Sequence, residues 1–296
     1  MHLVERALQH YAEEEHPDLV QVRTSLRYPD LRVAKYKNKV FYKDLWSPEL
    51  CKMRGLVIDE NWRVIVRPFD KIFNRGERFA PKFDYGEMVV AARKVNGFMA
   101  CLTKDEDYGL IVSTTGSLDS PFVETAEKYL LPLRHHGLIN GVTYIFEIVD
   151  PDDPHIIAEE PGAYLIGCRT VCSKIQLHEC DLDVIARGFE VKRPEWKVCH
   201  FGELMEERKT VEHEGWVVYD FNYEKAVKVK SAYYLTKKFF MRAGEQKLTP
   251  KWINANRDNF DEEFYPMIDA IMADEQFTIL DQMQRREWIE RFLTNR

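Results

Sequence analysis

Met88-Val-Val-Ala-Ala-Arg-Lys-Val-Asn-Gly-Phe-Met-Ala-Cys-Leu-Thr103 reads as a strand, a tight loop and a second strand. The run Met88–Arg93 leads into Lys94, and Phe98–Thr103 leaves Gly97. Short β-rich runs joined by a glycine-bearing loop are the grammar of sheet connections. Working outward, strand patterns recur at Val33–Tyr42, Gly55–Asp59, Arg63–Pro68, Leu110–Thr114, Val142–Val149, Tyr164–Cys172, Trp216–Tyr219 and Ala226–Lys230. Helical spacing is expected over residues 3–14, from Ser47-Pro48, from Ser120-Pro121 to about His136, and over Asp181–Arg187 and Phe201–Lys209. After Ser231 the pattern changes: Tyr233–Arg242, Pro250–Asn256, Glu262–Met272 and Ile279–Leu293 carry helical spacing. The expectation is a mixed α+β chain, with an antiparallel-sheet domain over residues 1–235 and a short all-helical appendage over 236–296.

Composition sets the class. The chain has 296 residues, 45% of them hydrophobic, enough for a substantial core. No apolar run approaches the roughly 20 residues that span a bilayer. The N-terminus lacks the basic-then-apolar layout of a signal peptide. The expected place is therefore the cytoplasm, with no membrane partner, and six cysteines in so long a chain fit a reduced compartment. Cys168, Cys172, His178 and Cys180 raise the question of zinc. Along a strand Cys168 and Cys172 would lie about 13 Å apart, too far for one ion at a Zn–S length of about 2.3 Å, so a zinc site there requires a bend in the chain. The net charge is −7, yet residues 23–43 hold seven basic side chains against one acid. Residues 225–242 hold six and no acid. Local positive surface, more than total charge, draws a phosphate backbone.

Chemistry-bearing residues follow in order. Lys94 sits in the tight loop, Glu147 in the apolar run Tyr144–Val149, Glu214 before Gly215, and Lys228 and Lys230 in Ala226-Val-Lys-Val-Lys230. Lysine is a poor nucleophile while protonated, near an ordinary pKa of about 10.4. Nearby positive charge and partial burial favour the neutral amine. On a strand Lys228 and Lys230 share one face while Val227 and Val229 share the other. Paired cations there suit a triphosphate and a departing pyrophosphate. Alone, the same pattern is the exposed face of an amphipathic strand. Two carboxylates facing a nucleotide can orient a ribose and hold Mg²⁺ through water; each alone reads equally as a structural salt bridge. Arg54 opens a strand, and Lys71 and Phe73 lie in a loop that suits either a phosphate clamp or a hairpin connection.

With these residues in order, the chain resembles the covalent nucleotidyltransferases, and more closely the bacteriophage RNA ligase 1 family. The resemblance rests on Met53–Ile58, Arg67–Asn74, Lys94–Gly97, Thr115–Ser117, Phe146-Glu147, Leu165–Arg169, Glu214–Val218 and Lys228–Ser231. It covers about residues 30–235 and implies an ATP-grasp-like ligase domain. It also implies an ATP-dependent RNA ligase that joins 5′-phosphate and 3′-hydroxyl ends through lysyl-AMP and RNA-adenylate, in RNA or tRNA repair. Lys94 would be the nucleophile. Arg54, Lys71, Lys228 and Lys230 would contact the ATP phosphates, with Lys228 and Lys230 catalytic. Gly97 would admit the nucleotide, Phe73 support the site and Glu147 bind the ribose. Glu214 would serve adenosine or metal, and Ile166 and Val217 would wall the adenine. Mg²⁺ or Mn²⁺ would be held by Glu147 and Glu214 through water. Nicked tRNA is the implied RNA. A separate end-healing kinase or phosphatase is the implied companion, since this chain has no phosphate-binding Gly-x-x-x-x-Gly-Lys-Ser/Thr loop. Asn96, Phe98 and Thr115 depart from the family's usual Asp, Ser and Lys.

Three alternatives stand beside this reading. DNA ligases and capping guanylyltransferases normally place an OB-fold after the last lysine pair, whereas here 66 residues of helical spacing follow Lys230. A non-catalytic RNA-binding protein would have no need of Lys94.

Overall fold

The computed structural model describes residues 17–171 and 177–295. The helix expected at residues 3–14 lies outside them. In chain order the strands are β1 (Val20–Thr24), β2 (Arg32–Tyr36), β3 (Arg54–Ile58), β4 (Val64–Val66), β5 (Phe73–Asn74), β6 (Met88–Arg93), β7 (Phe98–Asp105), β8 (Gly109–Thr114), β9 (Val142–Val149), β10 (Gly162–Thr170), β11 (Trp196–His200), β12 (Gly215–Tyr219) and β13 (Ala226–Lys230). They fall into two compact units: residues 1–71 with 95–195, and 72–94 with 196–296.

The first unit holds two four-stranded antiparallel sheets, ordered β1-β2-β3-β4 and β10-β9-β7-β8. The period of two along β7 decides how they pack. Met99 and Cys101 point to one side and meet Val33, Val57 and Ile65 of the other sheet. Ala100 and Leu102 point the opposite way, toward helices Pro121–Leu130 and Glu179–Phe189. The outer side of the first sheet is covered by Val40, Leu50 and Met53. Sheets and helices are thus layered on continuous apolar cores.

The second unit is built on a five-stranded sheet, ordered β11-β6-β12-β13-β5, with β5 parallel to β13 and the remaining pairs antiparallel. One face is apolar: Val89, Ala91, Trp216, Val218, Val227 and Val229 pack on Phe201, Leu204 and Met205, the latter three on helix Phe201–Glu207. The helical tail belongs to this unit. Helix Ala232–Ala243 starts at Ser231, whose Oγ accepts from the Tyr234 N–H at 3.1 Å. Its Phe239 stacks on Phe260 at 4.9 Å and lies 5.5 Å from Phe264. Buried Arg208 ties the end of the tail to the sheet side, donating to the carbonyls of Lys230 (3.0 Å), Leu293 (2.9 Å) and Thr294 (3.0 Å).

Several expected elements differ. The single strand expected at Val33–Tyr42 is a strand ending at Tyr36 followed by a short helix, Asn38–Tyr42. The Lys37 N–H still extends the β1–β2 ladder to the Leu19 carbonyl, and the Val40 N–H then closes a turn on the Lys37 carbonyl at 3.0 Å, which sends Val40 into the core. The helix expected to run to His136 is α-helical to Leu130 and continues as 3₁₀ over Leu131–His135, where Pro132 withholds an N–H. The last expected helix, Ile279–Leu293, is two: Glu275–Ile279 and Gln282–Asn295. Asp281 begins the second, its carboxylate accepting from the Gln284 N–H at 2.9 Å. Strands β1, β5 and β11 were not expected. Among the described residues no helix is long and apolar enough to cross a membrane.

Candidate active site

In the second unit, Lys94 follows the last residue of β6, and its backbone N–H donates to the Gly215 carbonyl at 2.8 Å. That bond places the side chain beside Glu214. Lys94 Nζ lies 3.1 Å from Glu214 Oε2, with the lysine side chain 22% exposed and the carboxylate 2%. Gly215 is required where it stands. Its φ is +129°, and a Cβ there would lie 2.1 Å from the Val229 carbonyl oxygen. Close β12–β13 pairing sets Gly215 opposite Lys230 and Val217 opposite Lys228.

Lys228 and Lys230 project from the face of β13 opposite Val227 and Val229, whose side chains are buried in the core. Lys230 is nearly enclosed. Its Nζ lies 2.7 Å from Glu263 Oε2, 3.8 Å from Glu214 Oε1 and 4.9 Å from the centre of the Tyr234 ring. Burial alone would lower the Lys230 pKa, but the Glu263 and Glu214 carboxylates outweigh it and raise it. Burial opposes ionisation of Glu263 too, yet Lys230 and Lys238 hold its pKa well below the carboxylate range. Burial pushes the Tyr234 hydroxyl up to about 12. Phe73, buried on β5, pairs in register with Val227 and lies 6.0 Å from the Phe79 ring.

In the first unit, Gly97 and Glu147 meet. The Gly97 N–H donates to Glu147 Oε1 at 3.2 Å, and a Cβ at Gly97 would lie 2.2 Å from the Ile148 carbonyl oxygen. Glu147 pairs across β9 with Met99 on one side and Tyr164 on the other. The Arg54 guanidinium reaches Met99 Sδ at 3.3 Å. Ile166 stands at a bulge between Leu165 and Gly167, half-buried against Val95, Val149 and Tyr164. Lys71 holds its ammonium over the rings of Trp46 (5.0 Å) and Phe41 (5.5 Å), and its N–H bonds to the Cys51 carbonyl at 2.7 Å.

The three departures have local roles. Asn96 is buried; its Oδ1 accepts from the Ile157 N–H at 2.9 Å and its own N–H donates to Glu159 at 3.3 Å. It thereby fixes the loop after β9. Phe98 meets Phe122 edge-on at 5.0 Å. Thr115 lies in the short turn after β8, between Thr114 and a Ser117 whose carbonyl accepts from the Thr114 N–H at 3.0 Å.

Lys94, Phe73, Glu214, Val217, Lys228 and Lys230 are therefore gathered in one unit, and Arg54, Lys71, Gly97, Glu147 and Ile166 belong to the other. Sequence reading missed Tyr234, Lys238 and Glu263. Glu263 carries no motif, and its partner lies 33 residues away. Among the described residues no group of three or more His, Cys, Asp or Glu side chains could hold a metal. Cys172 lies outside the described residues, so the cysteine–histidine set is not complete there. A Mg²⁺ site fits only in the form expected, through water: both Glu214 oxygens already face ammonium groups. Mg²⁺ keeps most of its waters and needs no more than one or two carboxylates beside phosphates.

Comparison with known proteins identifies the family and the fold. A family profile described as RNA ligase, of the T4 RNA ligase 1 type, matches residues 52–242. An RNA ligase of Rhodothermus phage RM378 is 30% identical over 161 residues, covering 40% of this chain and 37% of that protein. The chain therefore spans little more than a third of that relative. Among solved structures, an archaeal ATP-dependent RNA ligase superposes with a TM-score of 0.60 at 13% identity, over 98% of this chain and 76% of the other. A putative ATP-dependent DNA ligase from Aquifex aeolicus gives 0.58 at 14% identity, over 99% and 76%. These two structures share the fold, mixed α+β with antiparallel sheets, and do not separate RNA from DNA. The profile does, since it describes RNA ligases, and its range runs from before Arg54 to past Lys230. The chain belongs to the RNA ligase family, of the bacteriophage RNA ligase 1 type.

Proposed function

We propose that the protein is an ATP-dependent RNA ligase. The observation that carries the reading is Lys94 held 3.1 Å from Glu214 on a sheet whose neighbouring strand presents Lys228 and Lys230 on one face. Lys94, after losing a proton, attacks the α-phosphorus of ATP; an N–P bond forms and the bond to pyrophosphate breaks. The adenylyl group then passes to a 5′-phosphate RNA end, and a 3′-hydroxyl displaces AMP as the strand is sealed. Lys228 and Lys230 offset the charge that gathers on the phosphates. In this reading Arg54 and Lys71 are further phosphate contacts, Glu147 takes the ribose, Gly97 leaves room for the nucleotide, and Phe73 supports the site. Ile166 and Val217 wall the adenine. Mg²⁺ or Mn²⁺, when bound, supplies charge neutralisation and alignment of the phosphates, with Glu147 and Glu214 holding its waters.

The finer parts of the reading rest on the family. Nicked tRNA is the proposed substrate, a 5′-kinase or 3′-phosphatase the proposed companion, and the cytoplasm the proposed site of action. Residues 1–235 are proposed to carry nucleotidyl transfer, and 236–296 to form a functional appendage. The test is a sealing assay with ATP and Mg²⁺ on 5′-phosphate, 3′-hydroxyl ends of RNA and of DNA. Circles or joined strands with RNA are expected. Sealing confined to nicked DNA, or covalent labelling with GTP in preference to ATP, would replace this reading with DNA ligation or capping.

A further inference from the structure

We propose that Glu263, carried by the helical tail, is a positioning residue that fixes the Lys230 ammonium for the ATP phosphates; this rests on the ligase reading above. Glu263 is 3% exposed and sits in a short 3₁₀ turn, Glu262–Phe264. Its two oxygens are divided. Oε2 lies 2.7 Å from Lys230 Nζ, and Oε1 lies 2.8 Å from Lys238 Nζ. Lys238 also pairs with Asp261, and Asp261 with Arg242 at 3.1 Å.

Charge counting shows why this network orients Lys230 without cancelling it. A lone Glu–Lys pair would be neutral and would draw phosphate weakly. Here four cations, Lys94, Lys230, Lys238 and Arg242, are set against three carboxylates, Glu214, Glu263 and Asp261, so this set keeps one net positive charge. Three N–H donors leave Lys230. Glu263 takes one and Glu214, at 3.8 Å, biases a second, which leaves donor capacity for a phosphate oxygen. A cavity of about 30 Å³ confirms that the parts adjoin: Lys228, Lys230 and Glu263 all line it, with Asn74 and Arg75.

Without Glu263, Lys230 would turn wholly to Glu214, the carboxylate that also holds Lys94. Two ammonium groups would then compete for one partner. The tail thus reaches into the first chemical step, through one carboxylate supplied 33 residues beyond Lys230.

The test uses the full chain and measures KM and rate for lysyl-AMP formation, with thermal melting to select temperatures at which each variant is folded. Glu263→Gln is expected to raise the KM for ATP by about tenfold to a hundredfold, and Glu263→Asp to recover part of it. The deciding variant is the double replacement Glu263→Met with Lys238→Met. It removes the buried pair together, a change that proteins often tolerate without loss of stability, and leaves Asp261 with Arg242. A positioning role predicts a folded double variant whose KM for ATP stays high. A wild-type KM and rate in that folded variant would overturn the proposal and leave the ligase reading intact. Absence of lysyl-AMP in the unmodified protein would instead remove the ligase reading, and this inference with it.

Discussion

The Lys94 ammonium lies 3.1 Å from a Glu214 carboxylate that is itself 3.8 Å from Lys230. One buried acid therefore serves two lysines of the same sheet, one at the end of β6 and one on β13. The arrangement explains why Gly215 follows Glu214. The strand must run close enough to Val229 for the acid to reach both cations, and no side chain fits there. Replacing Glu214 with Ala removes the carboxylate 3.1 Å from Lys94 and leaves Lys230 with Glu263 but without its second carboxylate. The expected loss is about 3–5 kcal/mol of stability and a fall in adenylylation of about a hundredfold or more. Urea unfolding and single-turnover labelling measure the two; a stable variant with normal labelling would contradict the shared role.

Lys228 and Lys230 should separate in their effects. Lys230→Ala leaves Glu263 and Glu214 without a cation they share, so it should cost about 3–5 kcal/mol as well as activity. Lys228 is half-buried, and Lys228→Ala should cost less than about 1 kcal/mol while raising the KM for ATP. Equal stability losses in the two variants would show that the enclosure of Lys230 is not what distinguishes them.

Gly97→Ala places a methyl group 2.2 Å from the Ile148 carbonyl oxygen. A backbone atom cannot rotate aside, so the loop must shift, and with it the N–H that binds Glu147. Overpacking of this kind costs about 1–3 kcal/mol. The expected result is a lower melting temperature together with loss of adenylylation, measured on the same preparation.

How much of this was legible in the sequence depends on the range of the signal. Lys228 and Lys230 could be assigned to one face because alternation with Val227 and Val229 is local, and burial follows it. The strand of Met88–Arg93 was legible because four consecutive buried residues, Val89–Ala92, fill a central position between β11 and β12. Strands β1 and β11 escaped notice because they are edges with mostly half-exposed side chains, and β5 because it is two residues long. The chain turn at Lys37 was hidden because it is closed by a backbone bond from the Val40 N–H to the Lys37 carbonyl, with no glycine or proline to mark it. Glu263 was invisible for a different reason: an acid in a polar stretch of the tail gives no hint that it folds against a lysine on a distant strand.

Alkaline pH should weaken the second unit. The Tyr234 pKa is raised from 10.0 to about 12, chiefly by burial, so between those values the folded chain keeps a proton that the unfolded chain has lost. Stability from this source is complete below about pH 10 and falls as pH rises toward 12. Lys230 acts in the same direction: its raised pKa gives stability below its ordinary value of 10.5 that is lost above it. Glu263 acts at the other end. Its lowered pKa gives stability above its ordinary value of 4.5 that is lost as pH falls through the folded value. Urea midpoints at pH 7, 9.5 and 11 should fall at the highest pH, and Tyr234→Phe should make that fall shallower. An identical fall in the variant would place the alkaline sensitivity elsewhere.

The most direct measurement is incubation with ATP labelled at the α-phosphate and a divalent metal, followed by denaturing electrophoresis and mapping of the labelled peptide. Acid-labile, covalent AMP on Lys94 is expected, with no label in Lys94→Ala. Label that persists in that variant, or maps to another lysine, would contradict the central claim that Lys94, beside Glu214, is the nucleophile.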